Sequence, residues 1–316
     1  MPEISIVIPY HNRIHTLPRC LNSLATLYSM PVCIIMVDNA STDQSHAFVE
    51  TFIAGCQNAL LHWQHLVAPH IGASYARNVG LAAVRTPWVC FFDSDDELSP
   101  AFVCDAMQTI KKQPYDLVLA STTMFWPDGM QRVRPLPKPL TVSTHIARSI
   151  INTQCFVART AWLRQCGGWN EACPIWNDYE LGVRMLLARP RIAYLRASYH
   201  SLHQHADSLT GQGGAIPLTS YLVVLRCVEQ HLATIPQQDK SNVRYALALK
   251  VGHWYGLQRR RGRPQDEFDA YDAWYTKLLA TLSPIQRAYV RFVCWGTRYH
   301  LRGLLRLGAY LAKPTC

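Results

Sequence analysis

No stretch of this sequence approaches the roughly 20 uninterrupted apolar residues that a membrane-spanning helix needs. The opening MPEISIVIPYHNR lacks the basic start and long apolar run of a secretory signal, so a cytosolic chain is expected. Charged residues are scarce, at 16% of 316 positions, against 49% hydrophobic; this excludes a solvated disordered chain and supplies a large core for one big domain plus an appendage. No CxxC pair occurs among the 11 cysteines. They are scattered singly, and Cys33, Cys90 and Cys155 sit inside apolar runs, so they read as reduced core residues rather than a disulfide or zinc framework. Internal repeats and low-complexity tracts are missing as well.

What the chain does have is an uneven positive charge. The net balance is +10, and residues 217–316 carry 15 Lys+Arg against 6 Asp+Glu, whereas residues 1–216 are nearly balanced. A basic region of this kind seeks an anionic partner: a membrane surface, a nucleic acid or an acidic substrate.

Along the first part of the chain, short apolar runs alternate with helical periodicity. ISIVIPY (4–10) and CIIMVDN (33–39) read as buried strands, and between them Leu17, Cys20, Leu21, Leu24 and Leu27 fall at helical spacing. The unit is β-α-β with a parallel pair. Ser41-Thr42-Asp43 offers N-cap chemistry for a helix near 44–53. A strand at 59–67, a helix at 72–84, a strand at 88–93, a helix through 100–112 and a strand at 116–122 continue the pattern, which predicts a doubly wound α/β sheet. Residues 123–144 read as a loop or hairpin and a candidate acceptor-side lid, 155–160 as a strand, 177–188 as a helix and 191–200 as a strand. Past Pro217 the alternation gives way to helices, so the boundary between a catalytic domain (1–216) and a helical, basic region (217–316) is placed there.

In such sheets ligands bind beyond the carboxyl ends of the strands. These ends are polar and acidic: Pro9-Tyr10-His11-Asn12, then Asp38-Asn39-Ala40-Ser41-Thr42-Asp43, then Asp93-Ser94-Asp95-Asp96. Carboxylates gathered in one crevice repel one another unless a cation or donors compensate them. Oxygen ligands with room for phosphates suit Mg²⁺ or Mn²⁺, and no Cys/His set here suggests zinc.

With these motifs in order, ISIVIPYHNR, VDNASTDQS, GASYARNVGL and FFDSDDELSP, the chain resembles the nucleotide-binding half of family 2 glycosyltransferases of the bacterial cell-surface polysaccharide type. A fifth element, Asn177-Asp178-Tyr179-Glu180-Leu181, is similar to the acidic motif that supplies their base. The resemblance covers roughly residues 3–210. It implies the GT-A fold, a Rossmann-like mixed sheet followed here by the helical region, and an inverting, metal-dependent transfer of a hexosyl or N-acetylhexosaminyl group from a nucleotide sugar.

The resemblance also implies roles. Asp38 accepts a hydrogen bond from the base, which points to a UDP donor; the alternative is a turn or capping aspartate. Pro9, Tyr10 and Asn12 flank base and ribose, Tyr10 being equally readable as a strand-end core aromatic. Asp93 approaches the ribose and, with Ser94, lines the donor, while Asp95 holds the metal, with Asp93 and His205 as further ligand candidates. Arg77 pairs with phosphate or with the acidic cluster, or forms a helix-surface salt bridge. Asp178 is the general base that takes the acceptor hydroxyl's proton, or a carboxylate serving the helix dipole. The family usually has Glu-Asp where this chain has Asn177-Asp178. His203 stands where arginine is common, and His205 faces the diphosphate or sits on a surface loop.

At the other end, Arg287, Arg291, Arg298, Arg302, Arg306 and Lys313 fall within a roughly 100° arc if 284–316 is helical, with Phe292, Val293, Leu301, Leu304, Leu307 and Leu311 opposite. Such a helix lies in an anionic membrane interface or docks on the protein core. Arg259, Arg260, Arg261 and Arg263 form a second basic cluster, usable for lipid head groups or an acceptor diphosphate. No nucleic-acid-binding motif accompanies these arginines. The expected function is thus an inverting glycosyltransferase acting on a glycan or lipid-linked acceptor at the cytosolic membrane face. The competing readings are a non-catalytic nucleotide-sugar-binding scaffold and a nucleotidyltransferase of related fold. The last needs a glycine-rich signature after its first strand, which Pro9-Tyr10-His11-Asn12-Arg13 does not provide.

Overall fold

A computed structural model of the chain describes residues 1–27, 30–203, 216–301 and 303–311. His205, Arg302 and Lys313 lie outside the described residues. The chain forms two compact units: the first is Met1–Leu136, Asn152–Pro174 and Ala188–Ser208, the second Pro137–Ile151, Ile175–Leu187 and Leu209–Cys316. The division interleaves the chain instead of cutting it once near 216. The segments 137–151 and 175–187 join the C-terminal helices because their own two helices pack on each other, the first also on the longest C-terminal helix and the second on the helix at 218–231.

The first unit holds the whole sheet. Its strands are β1 (Ile4–Tyr10), β2 (Val32–Asp38), β3 (Leu61–Val67), β4 (Trp88–Phe91), β5 (Leu117–Phe125), β6 (Gln131–Arg134), β7 (Phe156–Arg159) and β8 (Ile192–His203). Helices α1 (Leu17–Ala25), α2 (Ser45–Gly55), α3 (Ala73–Ala83) and α4 (Pro100–Ile110) alternate with the first five strands. The spatial order is β3-β2-β1-β4-β7-β5-β6, with β8 pairing β5. β3, β2, β1 and β4 are parallel, whereas β7 runs antiparallel between β4 and β5, so the sheet is mixed. Every residue of β1 and β2 is buried, as expected of central strands covered on both faces. Ile6, Ile8, Leu21, Ile34, Phe92 and Phe102 belong to the core beneath them.

The 123–144 stretch, expected as a loop or hairpin, is a β5–β6 hairpin followed by helix α5 (Val142–Arg148), which Thr141 caps through its hydroxyl. The proline-rich text hid the helix because its only apolar marks are Val142, Ile146 and Ala147. A short helix α6 (Thr160–Gln165) follows β7.

The second unit comprises α5, α7 (Asn177–Leu187), α8 (Leu218–His231), α9 (Gln237–Arg260), α10 (Asp269–Ala280), α11 (Pro284–Arg298) and α12 (Leu304–Leu311). The basic arc over 284–316 does not run on one helix. The backbone turns left-handed at His300 (φ 66°) and Gly303 (φ 89°), separating α11 from α12. α11 seats Val290 and Thr297 against α9, whose Gly252 and Gly256 admit it so closely that a Cβ on Gly256 would stand 2.2 Å from the Cys294 carbonyl oxygen. Val293, grouped from the sequence with Phe292 on one apolar side, is buried, whereas Phe292 is exposed along with Trp295 and Tyr299.

Candidate functional site

β1, β2 and β4 are adjacent and parallel, so their carboxyl ends deliver Tyr10, Asp38 and the Asp93–Asp96 turn to one edge of the sheet. Tyr10 and Asp38 are register partners. Asp38 is almost fully buried: Oδ1 accepts the Ser41 amide at 2.9 Å, and Oδ2 meets His46 Nδ1 at 2.8 Å. The turn role open in the sequence is therefore present, alongside a histidine partner that the sequence did not suggest. Tyr10 is buried and its hydroxyl lies 2.6 Å from His65 Nε2. Burial, followed by the charges of Asp38, Glu50 and Asp43, pushes its phenol far above the usual range, so the hydroxyl stays protonated, and the His65 tautomer sets which of the two groups donates.

Asn12 takes a left-handed backbone (φ 51°), tolerable for asparagine, and its Oδ1 accepts the amides of Thr42 at 2.8 Å and Asp43 at 3.3 Å. It ties the loop after β1 to the loop after β2. Asn39 extends the lattice by donating to the carbonyls of Ala68 and His70 and accepting from Gly72. Pro9 sits within β1 opposite Val37.

The acidic turn after β4 is held from two sides. Arg77 on α3 is buried and donates to Asp93 Oδ1 at 2.7 Å, its guanidinium lying 4.5 Å from the Trp169 ring centroid. Gln154, just ahead of β7, uses one amide nitrogen to reach Asp93 Oδ2 at 2.7 Å and Asp96 Oδ2 at 2.6 Å. Asp96 is buried, accepts the His203 amide at 2.7 Å, and its carboxyl is pushed well up by burial and then by the charges of Asp95 and Asp93. Ser94 is buried and Asp95 half-buried; Arg19 hydrogen-bonds the Asp95 backbone carbonyl. Arg77 thus pairs with the acidic cluster, one of the three readings considered for it. Gln154 and Trp169 were missed. Trp169 is placed by Asn78, whose side-chain amide both accepts from and donates to the Trp169 backbone at 2.9 Å, so the α3 motif organises a loop whose own text is unreadable.

In the second unit, α7 begins after Trp176, a bulky residue held left-handed (φ 47°) among Tyr221, Trp254 and the Lys250 ammonium. Asp178 is half-buried in the first turn of α7, where the helix dipole favours a carboxylate, and accepts its neighbour Tyr179's amide at 2.8 Å. Glu180 is fully buried. Burial raises its carboxyl, but hydrogen bonds from His231 and from both nitrogens of the Arg184 fork outweigh that and hold it down at about 2.

An open, mixed α/β sheet with acidic strand ends at one edge is an architecture of GT-A type, and similarity to known proteins specifies the chain further. Residues 5–164 match glycosyl transferase family 2, about half the chain, and the chain belongs to that family. It is 27% identical over 203 residues to pre-mycofactocin glycosyltransferase of Mycobacterium tuberculosis, covering 61% of this chain and 41% of that protein. It spans about two-fifths of the length of that relative. A glycosyltransferase of Haemophilus influenzae is 26% identical over 276 residues, covering 82% of this chain and 87% of that one. Among solved structures, S. aureus TarS 1-349 in complex with UDP-GlcNAc superposes with a TM-score of 0.71 at 18% identity, covering 98% and 92% of the two chains. At that identity the likeness establishes the fold.

Proposed function

We propose that the chain is an inverting glycosyltransferase that takes its sugar from a UDP-sugar and passes it to a glycan or lipid-linked acceptor in cell-surface polysaccharide synthesis. The observation that carries the reading is the placement of Asp38, Tyr10 and the Asp93–Asp96 turn at the ends of three adjacent parallel strands, the edge where such sheets bind nucleotides. The S. aureus TarS fragment was solved with UDP-GlcNAc and with UDP, which favours uracil as the base here.

The residues divide the work. Asp38 and Tyr10 form the base-facing wall. Arg77 and Gln154 hold Asp93 so that the turn keeps its shape while its charges stay close. The donor chemistry fits a hard divalent cation: oxygen ligands only, in a turn where Asp95 and Asp93 already push Asp96 up. Asp95 would hold Mn²⁺ or Mg²⁺, whose chemistry is to stabilise the leaving diphosphate. Asp93 has both oxygens engaged by Arg77 and Gln154, so its part as a ligand would be the smaller one. Asp178 is the base that removes the acceptor hydroxyl's proton, and no covalent intermediate is needed.

Calorimetric titration with UDP, GDP and their sugar conjugates, with Mn²⁺ and then with EDTA, tests the donor site. Metal-dependent binding of UDP or a UDP-sugar is expected. Transfer lost in Asp178→Asn with nucleotide binding retained supports the base. Binding without transfer to any acceptor under all conditions favours the nucleotide-sugar-binding scaffold.

The acceptor side is proposed to meet an anionic membrane surface. Ile285, Phe292 and Trp295 lie exposed on one face of α11, with exposed Tyr299 just past its end and exposed Arg291 and Arg298 as flanks. Aromatic rings with basic flanks suit a bilayer interface. Deleting 284–316 would strip the helix that covers α9, so Trp295→Glu is the cleaner test, expected to release the protein from anionic vesicles. No helix among the described residues is long and apolar enough to cross a membrane.

A further inference from the structure

A cluster outside the Asp93–Asp96 turn has the composition of a transition-metal site. His46 and Glu50 lie one turn apart on α2, and His65 lies on β3; one ligand atom from each falls within 4.8 Å of the other two. His46 Nε2 and Glu50 Oε1 stand 3.4 Å apart. That is close to the roughly 3.3 Å edge of a tetrahedron whose ligand bonds are about 2.0–2.1 Å, the range for zinc with nitrogen and carboxylate ligands.

The surroundings resemble the outer support that such ligands have elsewhere. His46 Nδ1 sits 2.8 Å from the buried Asp38 carboxylate, a contact that, when the ring is neutral, places its one proton on Nδ1 and turns the Nε2 lone pair toward Glu50. Two acceptors would then face each other, an arrangement a cation relieves. The competing arrangement is a protonated His46 bridging Asp38 and Glu50 with no metal. The His65 ring lies 4.5 Å from that of His46, and the Tyr10 hydroxyl is 2.6 Å from His65 Nε2. A cation bound through His65 Nδ1 keeps that bond as support, and one bound through Nε2 replaces it.

We infer that His46, Glu50 and His65 form a site for a borderline-soft divalent cation such as Zn²⁺, separate from the all-oxygen turn that suits Mn²⁺ or Mg²⁺. Three protein ligands leave a coordination position open to solvent. Because Asp38 and Tyr10 are its outer support, occupancy should also be felt in UDP affinity, a consequence that rests on the proposed function.

The test is titration of the purified, reduced protein with Co²⁺ followed by displacement with Zn²⁺, without nucleotide. One Co²⁺ per chain is expected, with visible d–d bands and no thiolate charge-transfer band. Affinity should fall at least tenfold in His46→Ala and His65→Ala and in the exposed, conservative Glu50→Gln, whose fold is not at risk, while Asp95→Asn stays within about twofold of the parent. Unchanged affinity in Glu50→Gln and both histidine variants, or binding through thiolates alone, overturns the site. A UDP titration with and without Zn²⁺ separates the two readings: if UDP never binds, the donor assignment of Asp38 fails while the cobalt result still decides the metal site.

Discussion

Gln154 donates to Asp96 at 2.6 Å through the same amide nitrogen that reaches Asp93 at 2.7 Å. One neutral side chain thereby joins two carboxylates of the turn on which the proposed metal and diphosphate chemistry depends. Burying a carboxylate without donors is costly, and both amide hydrogens of Gln154 are used against that cost.

Replacing Gln154 by Ala should therefore destabilise the fold by about 1–3 kcal/mol, the penalty for a buried polar partner left without its donor. Gln154→Glu should be worse, since it adds a carboxylate to the cluster. Urea unfolding checks both, and a midpoint unchanged in Gln154→Glu would show that the turn does not feel the added charge.

Arg77 pairs with Asp93 and stacks on Trp169. Arg77→Ala should cost about 1–3 kcal/mol, because the half-buried Asp93 carboxylate loses its charged donor and keeps only Gln154. Arg77→Lys keeps the charge but loses the planar stacking, so an intermediate loss is expected. Equal stability of the Lys variant and the parent would reduce the role of Arg77 to charge alone.

Glu180 makes stability depend on acid. Its folded carboxyl, held at about 2, lies below the ordinary value of 4.5, so its contribution is complete above about pH 4.5 and disappears as pH falls toward 2. The amount is on the order of 3 kcal/mol. Glu180→Gln should be less stable than the parent at pH 7, and the gap should close on acidification. A gap that stays constant from pH 7 to 3 contradicts the buried ion pair.

Gly80 lets α3 touch the sheet, since a Cβ there would lie 2.3 Å from Val7 Cγ1 and 3.2 Å from Val37 Cγ2. Gly80→Ala forces α3 away from β1 and β2, with an expected cost of about 1–3 kcal/mol. As Arg77 rides on the same helix, UDP binding should weaken together with the melting temperature. A variant that melts like the parent would mean the strands yield without cost.

Much of this was legible from local text. β-branched runs such as ISIVIPY and CIIMVD have few options besides buried strands, and strand ends rich in Asp and Asn pointed to the edge where the donor is proposed to meet the sheet. Asp38, Tyr10 and Asp93 came together because parallel neighbours must end at one edge. The partners of these residues were not legible. Gln154 reaches Asp93 and Asp96 across 61 and 58 positions, and His65 meets Tyr10 across 55.

The same limit explains the helices. Hydrophobic spacing correctly announces that α11 has two faces, but both carry apolar residues, and only tertiary packing decides that Val293 is buried while Phe292 and Trp295 are exposed. The sequence by itself determined the strands, the order of the motifs and the family, since each depends on residues close in the chain. The tertiary structure alone decided which distant side chains neutralise the acidic turn, which histidines meet beside Tyr10, and which unit carries α7. Those outcomes depend on contacts between segments whose local periodicity contains no information about one another.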